Sequence, residues 1–383
     1  MAGIYIHIPY CKNACSYCNF HFSTQTESGE KMIQAMLNEI ELQKHFFPKN
    51  TKLDSIYFGG GTPSFIDLNY IIKLLQKIYD NFNVQAHAEI TLEANPDDLT
   101  EEYLQNLKKL TPINRLSIGI QSFVEEDLKF MQRIHSVTQA KQCILDAQKA
   151  EFNITCDLIY GTPTLSNENW RKNIQALIDL NISHFSCYAL TVEEKTILHH
   201  QIQNHKTEEL DEEKIAEQFT ILQEIIAQND YEQYEISNFC KNKKYAIHNT
   251  NYWKNKPYLG IGPSAHSFNG TDRFWNINNN NQYIKQLLQS QLAQSCEHLN
   301  NIDNYNEYVM TNLRTIWGVD IHLIEKNFGA ELRKHFEFEI KPFIDNNWIE
   351  TDKHIYKLTN KGKLFCDLIT EQVFWIDEQA ASE

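Results

Sequence analysis

The 383-residue sequence contains no apolar run of membrane-spanning length. Its start, Met1-Ala2-Gly3, leads straight into Ile4-Tyr5-Ile6-His7-Ile8-Pro9 with no charged leader, apolar core or cleavage site. A cytoplasmic protein is therefore expected, with membrane association only through a partner. Positive charge is also short: 35 Lys and Arg stand against 50 Asp and Glu, a formal net charge of −15. That balance argues against a broad electrostatic footprint for nucleic acid, although not against a local basic patch. Nine cysteines are too few for a disulfide scaffold. Six of them, Cys143, Cys156, Cys187, Cys240, Cys296 and Cys366, are scattered and read as small buried hydrophobes in a reducing compartment. Repeats of solenoid type are absent. At 42% hydrophobic the chain can build one large core, or a large and a small one.

The other three cysteines are concentrated. Cys11-Lys-Asn-Ala-Cys15-Ser-Tyr-Cys18-Asn-Phe20 puts three thiols in one short loop after the first apolar run. Three thiolates can cap one corner of an iron–sulfur cube and leave its fourth iron open to a small molecule. The alternative is a structural zinc site, with His21 completing a Cys3His tetrahedron.

Short β-rich runs then alternate with segments of helical period, the pattern of a parallel sheet with crossover helices. Strands are expected at Ile4–Ile8, Ser55–Phe58, Ala88–Leu92, Arg115–Ile120, Asn153–Ile159 and His184–Leu190. Helices are expected near Glu30–Phe46, Leu68–Tyr79, Glu101–Leu110, Thr138–Ala150 and Trp170–Leu180. These units predict an α/β fold with an incomplete (β/α)6 TIM-like barrel over residues 1–200. A linker helix near Glu208–Gln228, with the acidic run Glu208–Glu213 as its solvated start, opens a barrel-covering segment over 201–285. In that segment Tyr234–Ile236 reads as a strand and Asn276–Asn281 as a turn or loop. Residues 286–383 read as a small helical, winged-helix-like module with a ribbon at Ile349-Glu350 and Tyr356–Leu358.

In such barrels ligands gather at the C-terminal strand ends. Gly59-Gly60-Gly61-Thr62-Pro63 falls there, and its glycines would let unpaired backbone groups approach a ligand. No Lys-Ser/Thr follows, so it is not a phosphate-binding loop. Glu93, Gln121, Arg133 and Asp157 ring the same mouth: a carboxylate can hold an ammonium or a ribose diol, and Arg133 a carboxylate. Tyr17 can stack on a purine or pack the loop.

Gly260-Ile-Gly262-Pro-Ser-Ala265 imitates a dinucleotide fingerprint, but Pro263 and the missing βαβ context argue against it. It reads as a turn that carries His266 and Ser267 toward the open side of the barrel. His248-Asn249-Thr-Asn-Tyr252-Trp253 groups a potential metal ligand, an amide and two aromatic faces, which suits haem. The alternative is a buried histidine with its hydrogen bonds satisfied.

Cys-x3-Cys-x2-Cys after Tyr5-Ile-His7-Ile-Pro9, together with Gly-Gly-Gly-Thr-Pro after the second strand, resembles the radical S-adenosylmethionine enzymes. The branch is that of oxygen-independent coproporphyrinogen III oxidase and its relatives. The resemblance implies that Cys11, Cys15 and Cys18 bind a [4Fe–4S] cluster whose open iron is chelated by S-adenosylmethionine. Tyr5, Tyr17, Gly60, Gly61, Thr62, Glu93, Gln121, Arg133 and Asp157 match positions around that cofactor. One-electron reduction by an electron donor for the cluster would then cleave S-adenosylmethionine to a 5′-deoxyadenosyl radical.

Two departures separate the chain from the oxidase. Phe20 stands where the oxidase has a further cysteine, and the chain starts at the strand that follows an N-terminal extension in the oxidase. His248, Asn249, Tyr252 and Trp253 match the His-Asn-x-x-Tyr-Trp motif of the branch's haem chaperones. The expected function is thus haem binding and delivery to an acceptor protein. Radical chemistry on a tetrapyrrole (coproporphyrinogen III decarboxylation or haem-opening methylation) and structural zinc binding are the alternatives.

Overall fold

Alternation of apolar and polar residues in six short runs produces six parallel strands: β1 (Ala2–Ile8), β2 (Lys52–Gly60), β3 (Asn83–Ala94), β4 (Arg115–Gln121), β5 (Asn153–Tyr160) and β6 (His184–Ala189). They pair in sequential order. Between them run α1 (Gly29–Leu42), α2 (Leu68–Asn81), α3 (Glu101–Leu110), α4 (Glu125–Phe130), α5 (Val137–Lys149) and α6 (Asn167–Asp179). This is the expected α/β architecture, seen in a computed structural model that describes residues 1–376; the predicted end of the C-terminal module, 377–383, lies outside them.

Strands covered on both faces ordinarily read as continuous apolar runs. Here one face is apolar and packs under the helices: Ile4, Ile6 and Ile8 of β1 join Ile56 and Phe58 of β2 in the main core. The other face is polar on every strand, as with Tyr5, Tyr57, Glu93, Ser117, Asp157 and Ser186. Tyr57 of β2 feels the charge of Asp157 on β5, so the sheet curves around a shared polar interior. The ring is not closed by hydrogen bonds.

Beyond β6 come α7 (Ile197–Gln203), α8 (Glu212–Gln228), β7 (Glu232–Gln233) and β8 (Asn238–Cys240), with β8 antiparallel to β6. A short helix, α9 (Ile247–Trp253), then enters the interior beside β1 and β2. On the far side of β1 the sheet continues through β9 (Tyr258–Ile261), β10 (His266–Phe268), β11 (Asp272–Asn276) and, after α10 (Asn280–Leu288), β12 (Gln294–His298). A second core, from Tyr305 to Val373, holds α11 (Asn301–Leu313), β13 (Val319–Asp320), α12 (Ile321–Phe328), α13 (Ala330–Asp345), a β14 (Ile349–Asp352) and β15 (Ile355–Leu358) hairpin, and α14 (Cys366–Val373). Among the described residues no helix is long and apolar enough to cross a membrane.

Several expectations change. Helix α1 stops at Leu42, and the turn after it brings Phe46 against Phe47 and Phe274 at 5.1 and 5.7 Å. Tyr234–Ile236 is the turn between β7 and β8 rather than a strand; only Glu235 makes a bridge, to Thr315. Gly260 lies inside β9, where a Cβ would come within 2.1 Å of the His266 carbonyl oxygen, so the turn is confined to Gly262–Ala265. Within Asn276–Asn281, Asn276 ends β11 and Asn279 caps α10. Five scattered cysteines are buried as expected, whereas Cys296 is exposed on β12.

Candidate functional site

The cysteine loop leaves β1 at the strand's C-terminal end and is pinned from three sides. Gly61 N and Thr62 N donate to Ile8 O and Tyr10 O at 2.8 and 2.7 Å, Cys11 N to Ser23 O, and Ser16 N to Met131 O. A Cβ on Gly61 would meet Tyr10 O at 2.6 Å, so this glycine exists to let two backbones pass closely. Gly60 N is also used, donating to Glu93 Oε2 at 3.2 Å, so neither of these two N–H groups is unpaired as expected. The triple glycine holds the thiol loop in place.

Cys11, Cys15 and Cys18 are all half-buried and unpaired. Thr62 Oγ1 donates toward Cys11 Sγ and Arg133 Nη1 toward Cys15 Sγ, both at 3.5 Å. Burial pushes the Cys11 thiol up to about 11 and Cys18 in the same direction. Tetrahedral zinc with bonds of about 2.3 Å needs sulfurs about 3.8 Å apart. Among the described residues only Asp320, His322 and His354 gather three ligand atoms within 4.8 Å of one another, so the three thiols are spread more widely than one zinc ion allows. His21 is turned elsewhere, its Nε2 2.7 Å from Asn280 Oδ1. Three unpaired thiols without a fourth ligand in His21 are the donor set of a cube with one open iron.

Beside the thiols the interior is acidic. Glu93 accepts from Tyr57 Oη at 2.7 Å, and burial, with Asp157 nearby, pushes its carboxyl up to about 7. Asp157 accepts from Ser117 Oγ at 3.2 Å and is pushed up to about 6 by burial. Neither carboxylate has a cation partner within salt-bridge distance among the described residues. Arg133 donates through Nη2 to Asn95 Oδ1 at 2.6 Å and Gly119 O at 2.7 Å, while its buried Nε has no partner. Gln121, at φ 64, brings its amide to the same place over Gly119. Tyr17 packs beside Met131 and Leu198. The structure thus gathers the predicted rim residues into one place; Asn95, which ties Arg133 to Thr62, and Tyr57, which orients Glu93, escaped the sequence reading. Tyr57 lies two residues along β2 from Gly59, and Asn95 directly follows β3, two residues past Glu93, which is the signal that finds them.

His248 is elsewhere. Its ring is 3% exposed at the floor of the interior, stacked on Tyr57 with centroids 5.1 Å apart. Nδ1 lies 2.9 Å from Ser55 Oγ and Nε2 2.9 Å from Tyr252 Oη, while its backbone N donates to Glu89 Oε1. Asn251 donates to Asp54 and Asn249 to Tyr234 Oη. In this arrangement both imidazole nitrogens lie within hydrogen-bond distance of protein hydroxyls, and α9 fills the floor of the interior. The other end of the motif reaches open space: Tyr252 and Trp253 line a cleft of about 560 Å3 with Tyr5, His7, Asn19, Phe20 and His21 on one side and Tyr258, His266, Arg273, Met310 and Thr311 on the other. Ser267 points away, its Oγ accepting from Gly260 N at 2.8 Å.

The radical SAM superfamily matches residues 5–177, and the HemN C-terminal domain matches residues 299–365. The heme chaperone HemW of Bacillus subtilis is 30% identical over 370 residues, covering 95% of this chain and 97% of that protein. That of Lactococcus lactis is 29% identical over 360 residues, covering 94% and 93%. Coproporphyrinogen III oxidase (HemN) from Escherichia coli, a radical SAM enzyme, superposes with a TM-score of 0.83 at 23% identity over 97% of this chain and 90% of that one, which shows a common fold. The match to the Bacillus subtilis protein spans nearly the whole of both chains, and the chain belongs to the HemW family within the radical SAM superfamily.

Proposed function

We propose that the protein carries haem and delivers it to an acceptor protein, on a scaffold that holds a [4Fe–4S] cluster and S-adenosylmethionine. One observation carries the reading: the same loop bounds both sites, since Asn19, Phe20 and His21, directly after Cys18, form one wall of the cleft. Cys11, Cys15 and Cys18 would hold the cluster, with Thr62 and Arg133 donating toward two of the sulfurs. Glu93 and Asp157, half-buried and without a cation partner, would accept the ammonium and ribose hydroxyls of S-adenosylmethionine. Arg133, with its orphaned Nε, stands ready for an acceptor beside Cys15. When bound, the cluster supplies one-electron chemistry to S-adenosylmethionine. Tyr252 and Trp253 would cover the haem at the cleft end of α9. The haem chaperone names of the relatives support this reading.

Anaerobic reconstitution tests it. About four iron and four sulfide per chain, an electron paramagnetic resonance spectrum changed by S-adenosylmethionine, and about one haem per chain on titration are expected. A spectrum indifferent to S-adenosylmethionine would remove the open-iron argument. Turnover of coproporphyrinogen III or haem under reducing conditions would move the protein to the enzyme class.

A further inference from the structure

We infer that the metal of an iron porphyrin held in this cleft is ligated by His266, an assignment that rests on the haem-binding reading above. Three histidines line the cleft and differ in what they have left to offer. His7 uses both ring nitrogens, Nδ1 at 3.2 Å from Tyr5 Oη and Nε2 at 2.8 Å from His21 O. His21 spends Nε2 on Asn280. His266 is exposed, and neither of its ring nitrogens has a hydrogen-bond partner among the described residues. Alternation along β10 aims it: Ser267 turns back to β9, so His266 stands on the opposite, cleft-facing side.

The surroundings suit the rest of a porphyrin. Phe20 is 68% exposed beside the thiol loop, and Trp253 and Tyr258 face the same space, giving apolar surfaces for a flat macrocycle. Arg273 donates through Nε to Glu307 and through Nη1 to Tyr258 Oη, leaving Nη2 without a protein partner among the described residues. A propionate can take that remaining edge of the guanidinium. The volume, about 560 Å3, lies within the range of roughly 300–1,000 Å3 that ligands of this size occupy.

Haemin titrated anaerobically into the reconstituted full chain should give a Soret band displaced from that of free haemin. His266→Ala should lose the displacement and bind haemin at least about tenfold more weakly. Metal-free protoporphyrin IX should bind both proteins alike, and imidazole added to His266→Gly should restore the wild-type band. A His266→Ala protein with native circular dichroism and an unchanged Soret band and affinity overturns the assignment while leaving haem binding in place. An equal loss of protoporphyrin IX binding overturns it too, because the contribution would not be to the metal. If the wild-type chain takes up no haemin, the haem reading itself fails.

Discussion

Glu93, proposed above to meet the ammonium of S-adenosylmethionine, is a carboxyl held at a cost. Its carboxyl lies against Tyr57 and Gly60 N, and burial with Asp157 nearby raises its pKa to about 7, so near neutral pH it hovers between two protonation states. A ligand ammonium would settle it as the anion, which is why the strain is useful. Glu93→Gln keeps the shape and removes the charge. Lost pairing with a charged group is worth about 1.5–3 kcal/mol, so S-adenosylmethionine should bind the reconstituted variant roughly tenfold to a hundredfold more weakly, measured by equilibrium dialysis. The melting temperature should stay level or rise, since a desolvated charge has gone; a fall in stability with unchanged affinity would make Glu93 a packing residue.

Helix α9 illustrates an element whose role is set by what it closes. His248 bridges Ser55 and Tyr252, so His248→Ala leaves two polar groups unpaired and a cavity, a loss of about 2–4 kcal/mol. Its buried imidazole has its pKa lowered to about 3 by desolvation and stays neutral in the fold. The unfolded chain takes up the proton near pH 6.5, so the stabilisation is complete above that pH and declines as pH falls toward 3, by up to about 1.4 kcal/mol per unit. Thermal melts of the two proteins should therefore converge on acidification. The motif was legible as a grouping in the sequence, but its placement was not: a plug is defined by Ser55, Glu89 and Tyr57, far away in the chain. Gly260 escaped for the same reason, since only pairing of β9 with β1 makes that segment a strand. The six barrel strands, by contrast, carry their own period-two signature in residues such as Ile4-Tyr5-Ile6-His7-Ile8, and the rim residues follow from the strand ends. Cys296 was misjudged because an edge strand offers no local sign that both faces meet solvent.

For the molecule as a whole, the cleft is assembled from two cores. Barrel elements supply most of it, while Met310 and Thr311 come from α11, whose Glu307 pairs with Arg273 at 2.5 Å. Contacts across the join also include Arg314 over the Trp253 ring at 6.0 Å and Lys363 Nζ to Gln233 Oε1 at 3.0 Å. Haem bound there should slow amide exchange in α11 and around Phe20 and leave α13 unchanged, as read by hydrogen–deuterium exchange of the full chain. Protection spread evenly over the module would mean a general tightening instead.

One loop carries Cys11, Cys15 and Cys18 and, directly after them, the cleft-lining Asn19, Phe20 and His21, so it would border both of the proposed sites. Ordering it for one ligand lowers the entropy left to lose for the other. Such coupling is reciprocal: any factor by which a bound cluster tightened the proposed hold on haem would be the factor by which haem guarded the cluster. If haem and a cluster occupy these two places as proposed, an oxidant that strips the iron would also loosen the haem, and retention of haem would report the redox state around the protein.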